Sequence, residues 1–177
     1  MSRLQKNVKN EILIFLLCGF MAGCTKVPSS NAPTNTTEAP AIKSVDVVKA
    51  SPQEVTLAAG ESGDVVVKLE IKNGYHVNAN PPSFSYLKAT QLEITPAEGI
   101  SVQSMNYPDP LTRKFAFSEK PLAVYEGEAT LKARLKADKS TKPGTHNLSA
   151  KLSVQACDEA VCYAPGTMDV TVPVNIK

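Results

Sequence analysis

The 177-residue sequence has little of what a metal centre or a nucleic-acid surface requires. It holds two histidines, His76 and His146, and four cysteines, of which only Cys157 and Cys162 lie beyond residue 24. Structural zinc sites usually bring a second closely spaced ligand pair; none is present, so neither a metal nor any other cofactor is expected. An excess of charge is missing too. Without the first 23 residues, which carry three basic and one acidic side chain, 16 charges of each sign remain, and that balance offers no electrostatic footprint for nucleic acid. No apolar run approaches the roughly 20 residues of a membrane-spanning helix. Internal repeats and long stretches of helical period are likewise absent.

What is present begins with a leader. Arg3, Lys6 and Lys9 precede the short apolar run Ile12 to Phe20, ILIFLLCGF, which passes into small residues, the layout of an export signal. Met21-Ala22-Gly23-Cys24 resembles the lipobox of bacterial lipoproteins, in which cleavage before the cysteine exposes it to lipidation. Met21 stands where that pattern prefers Leu, and an ordinary secretory signal cut nearby is the other reading. Residues 25–44, TKVPSSNAPTNTTEAPAIKS, are rich in Pro, Ser, Thr and Asn with almost nothing large and apolar to bury, which predicts a flexible tether. The expected organisation is a signal peptide over 1–23, lipidated Cys24 with its tether over 24–44, and a folded domain over 45–177. Export to an oxidising compartment makes a disulfide the default state of the remaining cysteines.

The domain reads as strands. Val65, Val67, Leu69 and Ile71 alternate with polar positions, as do Ala129 to Leu135, Leu148 to Val154 and Met168 to Ile176. Turn signals at Gly60 to Gly63, Asn73-Gly74, Pro81-Pro82, Pro108 to Pro110, Glu126-Gly127 and Pro143-Gly144 separate them. Many short strands with one polar face predict an all-β, immunoglobulin-like antiparallel β-sandwich.

VQACDEAVCYAP, residues 154–165, carries the cysteine pair, which is open to three readings: staple, metal clamp or redox couple. A bridge closing about six residues gives a chain-entropy stabilisation of roughly 2 kcal/mol, small for a staple. Two thiolates with only His76, His146 and carboxylates for company make a poor metal clamp, and His146, just after Pro143-Gly144, reads as a solvated loop residue. Asp158 and Glu159 disfavour a free thiolate and so weigh against a cysteine nucleophile of the protease kind. The apolar face of the preceding strand falls on even numbers, so Cys157 is expected on the opposite, polar face. In a plain hairpin that set Cys157 opposite Cys162, Leu148 would face Thr171, so a register shift is expected near Tyr163 to Gly166.

That segment, together with NGYHVNANPPSF at 73–84 and KFAFSEKPLAVYEGE at 114–128, resembles the N-terminal periplasmic domain of DsbD, the thiol:disulfide interchange protein, over roughly residues 45–177. The resemblance implies that Cys157 and Cys162 cycle between dithiol and disulfide, with Cys162 forming the mixed disulfide and Cys157 resolving it. The implied partners are a thioredoxin-like redox protein or a membrane electron conduit on one side and oxidised periplasmic proteins on the other. The implied location is the periplasmic side of the cell envelope, with the membrane reached through the lipid anchor. An aromatic cap over the pair is implied as well, for which Phe115 and Phe117 are both candidates; ordinary strand core is the alternative for each. Tyr75 and His76 are candidate supporting residues, and Asn78 is expected to bond backbone near the Pro81-Pro82 turn. Departures are Arg113 and Lys114 where relatives carry acids, four residues instead of five between the cysteines, and no C-x-x-C motif. The competing function class is an immunoglobulin-like binding or assembly lipoprotein whose disulfide is only structural.

Overall fold

The computed structural model describes residues 42–177. The leader expected over 1–23, the lipidation site Cys24 and the tether as far as residue 41 lie outside the described residues.

Alternation decides where the long strands form. In β3 (Ser62–Ile71) the buried side chains are Val65, Val67, Leu69 and Ile71; in β9 (Glu128–Ala137) they are Ala129, Leu131, Ala133, Leu135 and Ala137. In β10 (Gly144–Val154) and β12 (Gly166–Ile176) the same period buries Leu148, Ala150, Leu152 and Val154 against Val170, Val172, Val174 and Ile176. A short 3-10 turn, Ser44–Val47, leads into β1 (Val48–Pro52), and β2 (Val55–Leu57) follows it. The remaining strands are shorter: β4 (His76–Asn78), β5 (Gln91–Ile94), β6 (Ile100–Asn106), β7 (Leu111–Arg113), β8 (Leu122–Tyr125) and β11 (Ala156–Cys157).

The first sheet has the order β1-β3-β9-β6 and the second β2-β12-β10-β5. Their inward side chains form one main core, giving the all-β, immunoglobulin-like sandwich. Pairing is antiparallel except at one edge, where β2 runs parallel to β12 through Val174 and Val55. A third, small sheet, β11-β4-β8-β7, sits at one end. One of its faces, through Ala156, Val77 and Tyr125, joins the main core, while the other, through Leu122 and Val124, meets Phe115 in a second apolar cluster. Phe84 and Leu87 pack against that second cluster. No helix among the described residues is long and apolar enough to cross a membrane.

Candidate functional site

The site grows from the long β10–β12 hairpin. Leu148 pairs with Val172 and Val154 with Gly166. Further on, the Tyr163 N–H donates to Ala156 O (2.8 Å) and Cys157 faces Cys162. From Val154 to Ala156 one strand advances two residues while the other, from Gly166 to Tyr163, spends three, so Ala164-Pro165 forms a bulge. The register shift thus falls in the segment where it is expected. Beyond it, the Asp158 N–H donates to Val161 O (2.9 Å), so hydrogen bonds flank the cysteines on both sides. They occupy a non-hydrogen-bonded pair, the place in an antiparallel ladder where side chains lie closest. They are disulfide-bonded, with Cα atoms 3.9 Å apart.

Asp158 shapes the turn. Its Oδ1 accepts from the Ala160 and Val161 N–H groups (2.8 Å each), and its Oδ2 accepts from the Tyr163 hydroxyl (2.5 Å). These bonds, the tyrosine's first, hold the Asp158 carboxyl below its ordinary range, and the same carboxylate pushes the Tyr163 phenol up to about 12. An Asp at the start of a tight turn is a sequence signal for such an arrangement; its link to Tyr163 is not. Tyr75, just before β4, packs on the main-core side with its ring 6.1 Å from that of Tyr163. It therefore lies on the opposite side of the small sheet from Phe115.

Cys157 corrects an expectation. Alternation does turn it away from the main core, but it is 0% exposed, because that face of the small sheet is covered rather than solvated. Its cross-strand partner is His76, also buried at 2% exposure. The imidazole stacks on Phe115 (centroids 4.0 Å, planes 16° apart), and Phe115 stacks on Phe117 (5.3 Å, 15°). Phe115 is 2% exposed and Phe117 39%. Phe117, Tyr86, Leu87, Leu122, Gln155 and Cys162 line a cleft of about 270 Å³. The half-buried cysteine thus borders solvent and the buried one borders the histidine. The choice between the two phenylalanines resolves into a division: Phe115 is packing for the small core, and Phe117 is the outer ring beside Cys162.

The two cations just before Phe115 are used internally. Arg113 Nε pairs with Glu126 at 2.9 Å, and the Lys114 ammonium donates to the carbonyls of Ser118 and Glu119, closing the loop that carries both rings.

Two polar atoms on the covered face have no partner, His76 Nε2 and Asn78 Oδ1. Asn78 uses its amide nitrogen on Lys88 O (3.2 Å) and Gln155 Oε1 (3.1 Å), so it bonds backbone as expected but also side chain. His76, in contrast, leaves its Nε2 without a partner. Burial lowers its pKa, against the opposing pull of Glu126 and Glu159, so the ring is neutral at neutral pH. Beneath the hairpin lies Ser44, a residue that composition places in the tether. It is 0% exposed, accepts from the Ala156 N–H (2.9 Å) and donates to Ala164 O (2.6 Å) across the bulge.

His146 also departs from expectation. It lies in β10 at 9% exposure, with Nδ1 on the Glu98 carboxylate and Nε2 on Lys142 O (2.8 Å), far along the strand from the cysteines. No cluster of three or more His, Cys, Asp or Glu side chains among the described residues has metal-binding geometry.

The family model described as "Thiol:disulfide interchange protein DsbD, N-terminal" matches residues 44–173. No curated protein sequence matches the chain. Similar solved structures include the reduced DsbD N-terminal domain of Neisseria meningitidis, 19% identical over 66% of this chain and 82% of that one, with a TM-score of 0.45. The complex between the DsbD and PilB N-terminal domains of the same organism is 20% identical over 61% of this chain and 73% of that one, with a TM-score of 0.42. The N-terminal periplasmic domain of ScsB from Proteus mirabilis is 18% identical over 72% of this chain and 45% of its own, with a TM-score of 0.48.

Proposed function

The chain belongs to the family of the DsbD N-terminal domain, and from that membership we propose that it is a lipid-anchored thiol:disulfide exchange domain on the periplasmic side of the envelope. It takes electrons from a thioredoxin-like donor or a membrane conduit and passes them to oxidised envelope proteins. In this reading residues 1–23 are the signal peptide, Cys24 carries the lipid at the head of the 24–44 tether, and 45–177 is the exchange domain.

The observation that carries the reading is the asymmetry of the pair. Cys162 lines an open cleft while Cys157 is fully buried behind Phe115 and His76. Exchange needs one reachable sulfur and a leaving sulfur in line with it. During reduction of the domain a donor thiolate attacks Cys162 Sγ, and the Cys157–Cys162 bond breaks with its electron pair on Cys157. The donor's second thiolate then takes the donor sulfur, releasing Cys162 as a thiol once protonated. Toward a client the sequence runs in reverse: Cys162 attacks, and Cys157 resolves the mixed disulfide. Phe117 shields Cys162 from small oxidants until a partner displaces it, with His76 and Tyr75 supporting the pair from its two sides.

The test is capture. With Cys157→Ser, Cys162 should trap a thioredoxin-like protein as a stable mixed disulfide, and the native pair should have a potential above about −300 mV, the boundary below which structural disulfides typically lie. No trapped protein together with a potential below that boundary would favour a binding module with a structural bridge. Anchoring is tested separately: Cys24→Ala should release the protein from the membrane fraction, and a native protein already soluble and free of lipid would refute it.

A further inference from the structure

We propose that His76 is the proton acceptor for the Cys157 thiol when Cys157 resolves a mixed disulfide, a deeper reading of the exchange site that rests on the function proposed above.

The placement is specific. The β4–β11 register sets His76 directly opposite Cys157, so the two side chains share one face with Cβ atoms about 4.5–5.5 Å apart. Both are fully covered, and the stack on Phe115 holds the ring there. In the disulfide state Nε2 is buried without a partner, a situation folded proteins seldom keep without a reason. A disulfide sulfur has no proton to offer that nitrogen; a thiol does. Reduction therefore supplies the group that Nε2 lacks.

Chemistry asks for an acceptor at that place. Cys157 attacks only as a thiolate, yet burial and the nearby Asp158 and Glu159 disfavour a free thiolate. In the step proposed, the Cys157 S–H proton moves to His76 Nε2 as the Cys157 sulfur pair forms the bond to Cys162 Sγ. The client sulfur leaves with the electrons of the mixed disulfide and takes a proton from water; the imidazolium returns its own proton to water. Reduction by a donor retraces the same path, with Nε2 delivering a proton to departing Cys157. The charged groups around the ring suit a transient cation: Glu126, Glu159 and Asp158 favour it, and Arg113 opposes it. The other unpartnered atom of this face, Asn78 Oδ1, is an amide oxygen and cannot carry the proton.

The experiment uses the full chain, reduced and mixed with an aromatic disulfide that releases a coloured thiol. Attack by Cys162 releases the first equivalent and resolution by Cys157 the second. In the native protein the second phase should be nearly flat from about pH 6.5 to 8, because neutral imidazole is already the base. In His76→Phe, which keeps a ring on Phe115, and in His76→Gln, it should slow at least about tenfold at pH 7 and rise roughly tenfold per pH unit, as a thiolate-limited step does. The first phase should stay within about twofold of native. A second phase with native rate and native pH profile in both variants overturns the proposal. Should both variants fold poorly, the native protein decides: the His76 Nε2 nitrogen resonance should move on reduction as it gains the thiol proton donor, and an unchanged resonance overturns it. Neither readout needs a physiological partner, so failure to trap one would count against the exchange function alone.

Discussion

Phe115 and Phe117 stack 5.3 Å apart and nearly parallel, yet the first is 2% exposed and the second 39%. Two positions on one loop therefore respond differently to the same truncation. Phe117→Ala uncovers the cleft that Cys162 lines and should speed alkylation of the reduced pair several-fold with little loss of stability. Phe115→Ala removes the centre of a cluster otherwise built from Leu122, Val124, Phe84 and Leu87, and should cost about 3–5 kcal/mol. Alkylation rates and urea midpoints on the two variants check both halves; equal alkylation in native and Phe117→Ala protein would remove the shielding role.

Ser44 and the bulge make a second test. Its hydroxyl serves the buried Ala156 N–H and the carbonyl of exposed Ala164 together, so water can take its place at the carbonyl but not at the N–H. Ser44→Ala leaves the buried Ala156 N–H without this partner and should cost on the order of 1–3 kcal/mol. Because those groups flank the cysteine hairpin, hydrogen exchange at Ala156 and Tyr163 should accelerate more than exchange in β3 or β9. Uniform acceleration would mean the serine supports the sandwich generally.

The long strands were legible because one face of each is buried and the other wet, so β3, β9, β10 and β12 write their core into the sequence every second residue. The bulge was legible for a related reason, since pairing Cys157 with Cys162 and continuing the plain register would set Leu148 opposite Thr171. What covers the site was not. The segments carrying Phe84, Leu87, Phe115 and Phe117 lack periodicity, and without them the outer face of the small sheet reads as solvated, which is why Cys157 looked polar-facing and is buried. Ser44 hid in a Pro/Ser-rich run. His146 looked solvated because its acceptor, Glu98, lies 48 residues away on another turn.

That His146–Glu98 contact gives a pH-dependent stability with a definite sign. The backbone bond to Lys142 and the Glu98 carboxylate raise the imidazole's pKa above its ordinary 6.5. A raised folded-state pKa means the folded protein holds the proton more tightly, so the stabilisation is complete below about pH 6.5 and is lost as pH rises through the folded value. The thermal midpoint of native protein should fall between pH 6 and 8 relative to His146→Gln, which has no such titration. The same slope in both proteins would assign the dependence to other groups.

The disulfide itself should contribute little to the fold, and the comparison of magnitudes says why. Cys157–Cys162 spans five positions in sequence, and a loop of about six residues yields roughly 2 kcal/mol from chain entropy. Leu69, Leu131, Leu135, Leu148 and Leu152 are all fully buried in the main core, and each is worth about 1.5–3 kcal/mol. The hairpin is also held without sulfur, by Asp158 on Ala160, Val161 and Tyr163 and by Tyr163 on Ala156. The Cys157→Ser plus Cys162→Ser variant should therefore keep its β-sheet circular dichroism and unfold cooperatively, with stability lower by about 2 kcal/mol. Chemical reduction of native protein should give the same result. A chain that can lose and regain its bridge in this way is suited to a cycle in which the bond is repeatedly opened. Global unfolding on reduction, with loss of exchange protection in β9 and β10, would instead make the pair a staple.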